Sequence, residues 1–251
     1  HQKISTGKAE NKFGLSIKNF KSFYKTIKKY KHIKLDALSV HIGSQILSDV
    51  PYKKMLNVMS NLIRELQLDL KFLDLGGGFG ISYNRKDKPI DLKKYSESVY
   101  KLAKKIKCKI IFEPGRSIIG DTGVLLSKIQ YIKKGVKKDF VIIDAGMNDF
   151  MRPALYDAVH KIIPTKKSSS KLKGVIEFVG PICESTCKFG SYKNYQKMNE
   201  NDFVAITNVG AYGSSLSSNY NSRPLIAELL VNKNKLKYIR KKQDLLKLIN
   251  S

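Results

Sequence analysis

Apolar residues recur every three or four positions in three stretches of the first half of the chain. These stretches cover residues 17–30, 55–66 and 92–106. The spacing places the apolar side chains on one face of a helix, so each stretch predicts an amphipathic helix. Shorter apolar runs separate these stretches and end at polar or glycine-rich motifs, which is typical of buried strands. The first half therefore predicts an α/β arrangement.

Three polar motifs follow the short apolar runs of this half. They begin at His41, Gly76 and Glu113, at intervals of 35 and 37 residues, close to the length of one strand-helix-strand unit. Parallel strands joined in this way end at the same edge of a sheet, where both (β/α) barrels and open doubly wound sheets build their sites. We therefore expect the three motifs to lie together.

The pattern changes after Arg116. Short β-type runs then follow one another, separated by Gly, Pro, Asn or Lys-rich turns, at residues 124–132, 140–143, 175–179, 203–209 and 225–231. Residues 231–236 predict a hairpin, and the Ser/Lys tract 166–173 predicts a surface loop. The chain is thus predicted to contain two domains, an α/β domain over 1–116 and a mostly β domain over 117–251.

A formal net charge of +26 raises the question of a polyanionic partner. Only six of the 47 basic residues are Arg, and the lysines are scattered without a dense tract or a nucleic-acid-binding motif. We interpret the charge as a solvated lysine-rich surface and predict no nucleic-acid partner. Arg116, Arg152 and Arg223 instead lie beside Gly or Pro in motifs of low charge, where a planar fork can bind a carboxylate bidentately.

Cysteine content and hydropathy place the chain in a broad class. The three cysteines, Cys108, Cys183 and Cys187, do not form a disulfide framework. Cys183 and Cys187 could form half of a zinc site, but no second Cys/His pair has zinc spacing. No apolar run is long enough to span a membrane. We predict a cytoplasmic protein with no metal and no membrane partner.

The glycine motif is the first candidate for chemistry, because four glycines occur within residues 76–80 directly after an apolar run. Glycine amides can approach an anion closely, and consecutive amides after a strand can bind phosphate. The spacing differs from both G-x-G-x-x-G and the P-loop. From these residues alone, a phosphate site and a turn without a ligand are both open.

Seven motifs in series resemble the diaminopimelate decarboxylases, within the fold-type III pyridoxal-phosphate decarboxylases. The resemblance covers the whole chain in order. The motifs are His-Ile-Gly-Ser-Gln at 41–45, Gly-Gly-Gly-Phe-Gly at 76–80, Glu-Pro-Gly-Arg at 113–116, Asp-Ala-Gly-Met-Asn-Asp at 144–149, Arg-Pro-Ala-Leu-Tyr at 152–156, Gly-Pro-Ile-Cys-Glu-Ser at 180–185 and Gly-Ala-Tyr-Gly at 210–213. It implies the C-terminal half of a (β/α)8 barrel followed by a β domain. It also implies a homodimer whose active site is shared across the interface, and decarboxylation of meso-2,6-diaminopimelate to L-lysine.

The resemblance also implies a pyridoxal 5'-phosphate site. Glu113 would pair with the pyridine nitrogen and keep the ring protonated, which favours its electron-accepting form. The imidazole of His41 would stack on the ring. The remaining cofactor contacts implied are Ser44, Gly77, Gly78, Gly115, Arg116 and Tyr212.

Substrate-binding roles follow from the same resemblance. Arg116 and Arg152 would bind substrate carboxylates, with Tyr156 beside them, and Tyr212 would contact both cofactor and substrate. Cys183 would return a proton to the α-carbon, and Glu184 would bind the distal ammonium. The bland alternative for Cys183 is a small buried hydrophobe, which the charged neighbour Glu184 disfavours.

Two departures from the family pattern stand out. Cys187 occupies the position of a usual Asp in Cys-Glu-Ser-x-Asp, and the Ala-x-Lys-Ala-Asn segment that carries the cofactor-linking lysine is absent from these residues. We therefore expect the chain to begin within the barrel and to be inert alone. Two alternatives stay open, namely a related decarboxylase acting on ornithine, arginine or carboxynorspermidine, and a non-catalytic decarboxylase-like binding protein.

Overall fold

A computed structural model describes residues 12–84 and 87–250. The chain divides into two compact units, residues 1–118 and 119–251. The predicted domain ranges, 1–116 and 117–251, stay a prediction. The expectation that the chain begins within the barrel concerns the opening residues, which lie outside the described ones.

The first unit contains three parallel strands in the order β1-β2-β3. These strands are β1 Ala37–Ser39, β2 Phe72–Asp74 and β3 Lys109–Ile111. Three helices alternate with them, namely α1 Ile17–Ile27, α2 Val50–Glu65 and α3 Leu92–Ile106. Because the strands are parallel, the segments that follow them leave the sheet at one edge, as the spacing of the motifs predicted.

Local sequence explains where α3 begins and ends. The Asp91 side chain accepts hydrogen bonds from the amides of Lys93 and Lys94, at 3.0 and 3.1 Å, which satisfies two donors of the first turn. The helix ends where Lys107 adopts a left-handed conformation with φ of 53°. Tyr95 lies on the buried face, whereas Leu92, which we placed on that face, is exposed in the first turn.

The core of the first unit joins the buried faces of α2 and α3 to the strands. Its buried members include Met55, Met59, Leu62, Ile63, Leu73, Leu75, Phe79, Val99 and Leu102. Apart from Leu92, the predicted apolar faces of α2 and α3 are confirmed as buried or partly buried. No helix in the described part of the chain is long and apolar enough to cross a membrane.

The second unit is built on a six-stranded sheet in the order β6-β9-β4-β5-β7-β8, in which only β5 and β7 pair in parallel. The strands are β4 Val124–Lys133, β5 Asp139–Ile143, β6 Ile162–Pro164, β7 Val175–Val179, β8 Lys188–Lys193 and β9 Phe203–Thr207. A separate hairpin pairs β10 Glu228–Asn232 with β11 Lys235–Arg240. Helix α4, Arg116–Ile119, begins in the first unit and ends at the first residue of the second. The second unit also contains the short helices α5 Arg152–Tyr156 and α6 Leu245–Ile249.

The predicted β runs and the hairpin are confirmed, with three differences of more than one residue. The run expected over 203–209 ends at Thr207. The last run was expected from residue 225, but β10 begins at Glu228. The strands β6 and β8 were missed, because β6 has three residues and β8 buries only Phe189 fully among polar and charged neighbours. Fully buried side chains fill the core of this unit, among them Ile129, Val141, Ile143, Ile176, Phe178, Val204 and Ile206.

Candidate active site

Backbone hydrogen bonds join the loops that follow β1, β2 and β3. The amide of Ile46 donates to the Gly78 carbonyl at 2.9 Å, and the amide of Gly80 donates back to Ile46 at 3.0 Å. On the other side, the Glu113 amide donates to the Gly76 carbonyl at 2.8 Å. The structure therefore brings the three predicted motifs of this unit together.

Two glycines make this close approach possible. A Cβ on Gly77 would lie 2.1 Å from the Glu113 carbonyl oxygen, and a Cβ on Gly78 would lie 2.2 Å from the Gly43 carbonyl oxygen. Gly78 also has a φ of 89°, which side chains rarely adopt. The buried Tyr52 hydroxyl donates to the Gly77 carbonyl at 3.0 Å and so fixes the loop to α2. Glycine is thus required here by the packing of one loop on another.

The amides of the glycine loop have different partners. The Gly76 amide donates to Asp74 Oδ1 at 2.8 Å, and the Gly77 amide donates to His41 Nδ1 at 3.3 Å. The protein hydrogen bonds given by the described residues do not use the Gly78 amide. Of the two glycines predicted to bind phosphate, Gly78 is therefore better suited to donate its amide, and Gly77 holds the imidazole of His41.

The exposed groups at this edge fit a pyridoxal phosphate. The His41 ring and the Glu113 carboxylate are both solvent-exposed, and both lie next to the glycine loop through the contacts described above. An imidazole face, a carboxylate and a narrow glycine loop match the ring, the pyridine nitrogen and the phosphate of this cofactor. Gly115 lies in open space, where a Cβ added to it would meet no atom within 4 Å.

Arg116 is buried in the first unit, at the beginning of α4. Its Nη2 donates to Ser44 Oγ at 3.1 Å, and its Nη1 donates to the Tyr83 hydroxyl. The guanidinium carbon also lies 5.7 Å from the centre of the Tyr83 ring. The structure therefore unites two predicted site residues, Arg116 and Ser44. It adds Tyr83, whose only sequence signal was its position soon after the glycine motif.

In the second unit, Arg223 organises the loop at residues 144–149. Its Nε donates to Asn148 Oδ1 at 3.0 Å, and its Nη2 donates to the Asp144 carbonyl at 2.8 Å. The same nitrogen lies 3.6 Å from Asp149 Oδ2, and that carboxylate is buried. Burial raises the pKa of Asp149, although the Gly146 amide and Arg223 counteract part of the increase. The fork predicted for Arg223 therefore binds a protein loop.

Arg152 is also buried, at the beginning of α5. Its Nη1 lies 2.8 Å from Nε2 of His160, a residue that lies outside every predicted motif. His160 Nδ1 in turn lies 3.0 Å from the Thr207 carbonyl. Tyr156, predicted beside Arg152, is partly buried at the end of the same short helix.

The loop after β7 contains Cys183, the predicted proton donor, and Glu184, the predicted ligand of the distal ammonium. Cys183 and Glu184 are both exposed, so the reading of Cys183 as a buried hydrophobe is wrong. The Glu184 carboxylate accepts hydrogen bonds from the hydroxyls of Tyr220 and Thr186, and the bond from Tyr220 raises the pKa of that phenol. Neither hydroxyl was predicted at the site.

Cys187, the departure from the family pattern, is buried beneath this loop. Its Sγ accepts a hydrogen bond from the Met147 amide at 3.4 Å, and its carbonyl accepts one from Gly180 at 2.9 Å. The thiol therefore occupies a hydrogen-bonding position that joins the Cys183 loop to the loop at residues 144–149.

Tyr212 lies in the loop after β9 and is exposed. Its φ of 59° is in the left-handed region, which is uncommon for a residue with a side chain. The glycines on both sides of Tyr212 in the sequence are closely packed. A Cβ on Gly210 would lie 1.9 Å from the Ile119 carbonyl oxygen, and a Cβ on Gly213 would lie 2.2 Å from the Val209 carbonyl oxygen. A constrained backbone thus holds an exposed tyrosine, which is common at binding sites.

Comparison with known proteins shows which enzymes this chain is similar to. The family model described as "Pyridoxal-dependent decarboxylase, pyridoxal binding domain" matches residues 1–120. Diaminopimelate decarboxylases of Aquifex aeolicus and Zymomonas mobilis are 38% and 39% identical, over 97% of this chain and 59% and 58% of their own lengths. A crystal structure of the Helicobacter pylori enzyme complexed with L-lysine superimposes with a TM-score of 0.88 at 38% identity, covering 100% of this chain and 62% of that one.

Over residues 1–120 the chain is similar to the pyridoxal-binding domain of pyridoxal-dependent decarboxylases. Over almost its whole length it is similar to the diaminopimelate decarboxylases. The predicted fold class, part of a barrel followed by a mostly β domain, is confirmed by the structural match. The chain spans about three fifths of the length of the relatives that it matches.

Proposed function

We propose that the protein containing these residues is a pyridoxal-phosphate enzyme that converts meso-2,6-diaminopimelate to L-lysine and CO2. The observation that carries the proposal is the union of His41, the glycine loop and Glu113 by direct contacts at one sheet edge. When bound, the cofactor supplies an electron sink for decarboxylation at the α-carbon.

Each residue at this edge has a role toward the cofactor. The Glu113 carboxylate holds a proton on the pyridine nitrogen, and the His41 ring covers one face of the cofactor. The Gly78 amide and the Ser44 hydroxyl bind the phosphate, and Gly115 lets the backbone approach it. Arg116, which donates to Ser44, lies beside this phosphate contact and can bind a substrate carboxylate there.

The second unit provides the groups for the substrate. Arg152 and Tyr156 bind the distal carboxylate, and Glu184 binds the distal ammonium. Tyr212 contacts cofactor and substrate, and Cys183 returns a proton to the α-carbon after CO2 leaves. We further propose a cytoplasmic homodimer in which the partner's Cys183 completes each site.

A substrate panel tests this function. The protein that carries these 251 residues, loaded with pyridoxal phosphate, would be assayed for CO2 and amine product from meso-diaminopimelate, ornithine, arginine, carboxynorspermidine and lysine. We expect L-lysine from diaminopimelate and at most about 1% of that kcat/KM with the others, because only this substrate has a distal carboxylate beside a distal ammonium. A kcat/KM for ornithine or arginine equal to that for diaminopimelate would show that the protein is a related decarboxylase with a different substrate. Bound cofactor without any CO2 release would indicate a binding protein.

A further inference from the structure

Arg152 and His160 form a buried pair whose proton positions follow from chemistry. Arginine has only donors, so Nε2 of His160 must accept the bond from Arg152 Nη1. The Thr207 carbonyl can only accept, so Nδ1 of His160 must carry the proton. The two partners therefore select a neutral imidazole with its hydrogen on Nδ1.

The strands of the second unit hold this imidazole in place. Thr207 is the last residue of β9, and the Phe150 ring meets the imidazole edge-on with 4.6 Å between ring centres. The Tyr192 hydroxyl donates to the His160 carbonyl at 3.1 Å and accepts from the Ile162 amide at 2.9 Å. His160 is thus fixed through both its ring and its backbone.

The bond from Arg152 to this fixed imidazole restricts the plane of the guanidinium. A guanidinium held in one plane can form two parallel hydrogen bonds to a carboxylate with a smaller loss of side-chain entropy on binding.

We propose that His160 is a positioning residue for substrate binding, which orients the Arg152 guanidinium toward the distal carboxylate. The proposal rests on the function proposed above for Arg152. It predicts that the acceptor at Nε2 matters for substrate affinity, whereas the donor at Nδ1 matters for anchoring the ring to β9.

Two substitutions of similar size separate these bonds. In His160→Gln an amide oxygen can take the place of Nε2 and accept from Arg152, whereas in His160→Asn the shorter amide can reach only the Thr207 carbonyl. We expect His160→Asn to raise KM for meso-diaminopimelate about tenfold or more, the factor for one hydrogen bond to a charged group, with kcat changed less than about threefold. His160→Gln should stay within about threefold of the unmutated KM.

The double variants complete the test on the full holoenzyme. If His160 acts through Arg152, adding His160→Asn to Arg152→Lys should raise KM little beyond Arg152→Lys alone. Equal KM values for His160→Asn and the unmutated protein, or additive effects in the double variant, would overturn the proposal. An Arg152→Lys variant with unchanged KM would instead overturn the carboxylate role of Arg152, and no lysine from the unmutated protein would overturn the proposed function itself.

Discussion

The loops that follow β1, β2 and β3 in the first unit are positioned by different means from Arg152 and Arg223 of the second. Behind the exposed His41 and Glu113, backbone groups of neighbouring loops bond directly to each other across glycines without Cβ atoms. Arg152 and Arg223 are instead positioned by side chains, through His160 and through Asn148 and Asp149. The loop packing of the first region therefore requires residues without a side chain, whereas each arginine of the second region requires a particular side-chain partner.

The largest effect should come from Gly77→Ala. Its Cβ would meet the Glu113 carbonyl oxygen, so the loops must separate, at about 1–3 kcal/mol and with loss of cofactor affinity. Thermal unfolding and cofactor titration would measure both.

Gly115→Ala is the matched comparison, because the same methyl group has open space there. We expect its free energy of unfolding to change by less than about 0.5 kcal/mol, so that any fall in cofactor affinity reports a direct contact. If Gly77→Ala retained both its stability and its cofactor, the backbone account of the first region would be wrong.

The next largest effect should be that of Arg152→Lys on substrate use. One ammonium cannot reproduce two parallel bonds, so kcat/KM for diaminopimelate should fall about 100-fold while the cofactor absorption spectrum is unchanged. Steady-state kinetics on the holoenzyme measure this. A change in the cofactor spectrum with normal substrate affinity would indicate that Arg152 contacts the cofactor and not the substrate.

Arg223→Met should act on stability. It leaves the buried Asp149 carboxylate without its cation, which we expect to lower the free energy of unfolding by about 2 kcal/mol, less than for a fully buried pair because Arg223 is partly exposed. Arg64→Met is the control, since Arg64 is exposed and bonds only to Asn61 of its own helix among the contacts described. The free energy of unfolding of both variants would be measured by denaturant unfolding. Equal decreases for both would contradict the claim that the Arg223 side chain positions the loop at residues 144–149.

Tyr220→Phe should also have only a small effect on stability. The hydroxyl that donates to Glu184 lies at the surface, where water replaces a lost bond, so the melting temperature should change by less than about 2 °C. A larger loss, measured by calorimetry, would mean that Glu184 is a structural anchor of its loop.

The sequence predicted the first region better than the second for a physical reason. Helical spacing and regular strand intervals determine which motifs share a sheet edge, so the union of His41, Gly76 and Glu113 followed from them. Local sequence patterns did not predict the contact between Arg152 and His160. Their contact depends on the β9 backbone, which lies 47 residues beyond His160.

Partners of single side chains were missed for the same reason. Tyr83 reaches Arg116 across 33 residues, and Tyr220 reaches Glu184 across 36, without any periodic signal in the sequence. The exposed Leu92 shows a further limit, because spacing identifies a helix face but does not show which first-turn residue lies beyond the core.

The activity of Glu113→Gln tests the central claim most directly. In the protein that carries these residues, the phosphate contacts should keep the cofactor bound, but the ring loses the charge that holds its proton. We predict cofactor affinity within about threefold of the unmutated protein and a fall in kcat for lysine formation of about 100-fold or more. An unchanged kcat at full cofactor occupancy would contradict the assignment of this sheet edge as the catalytic site.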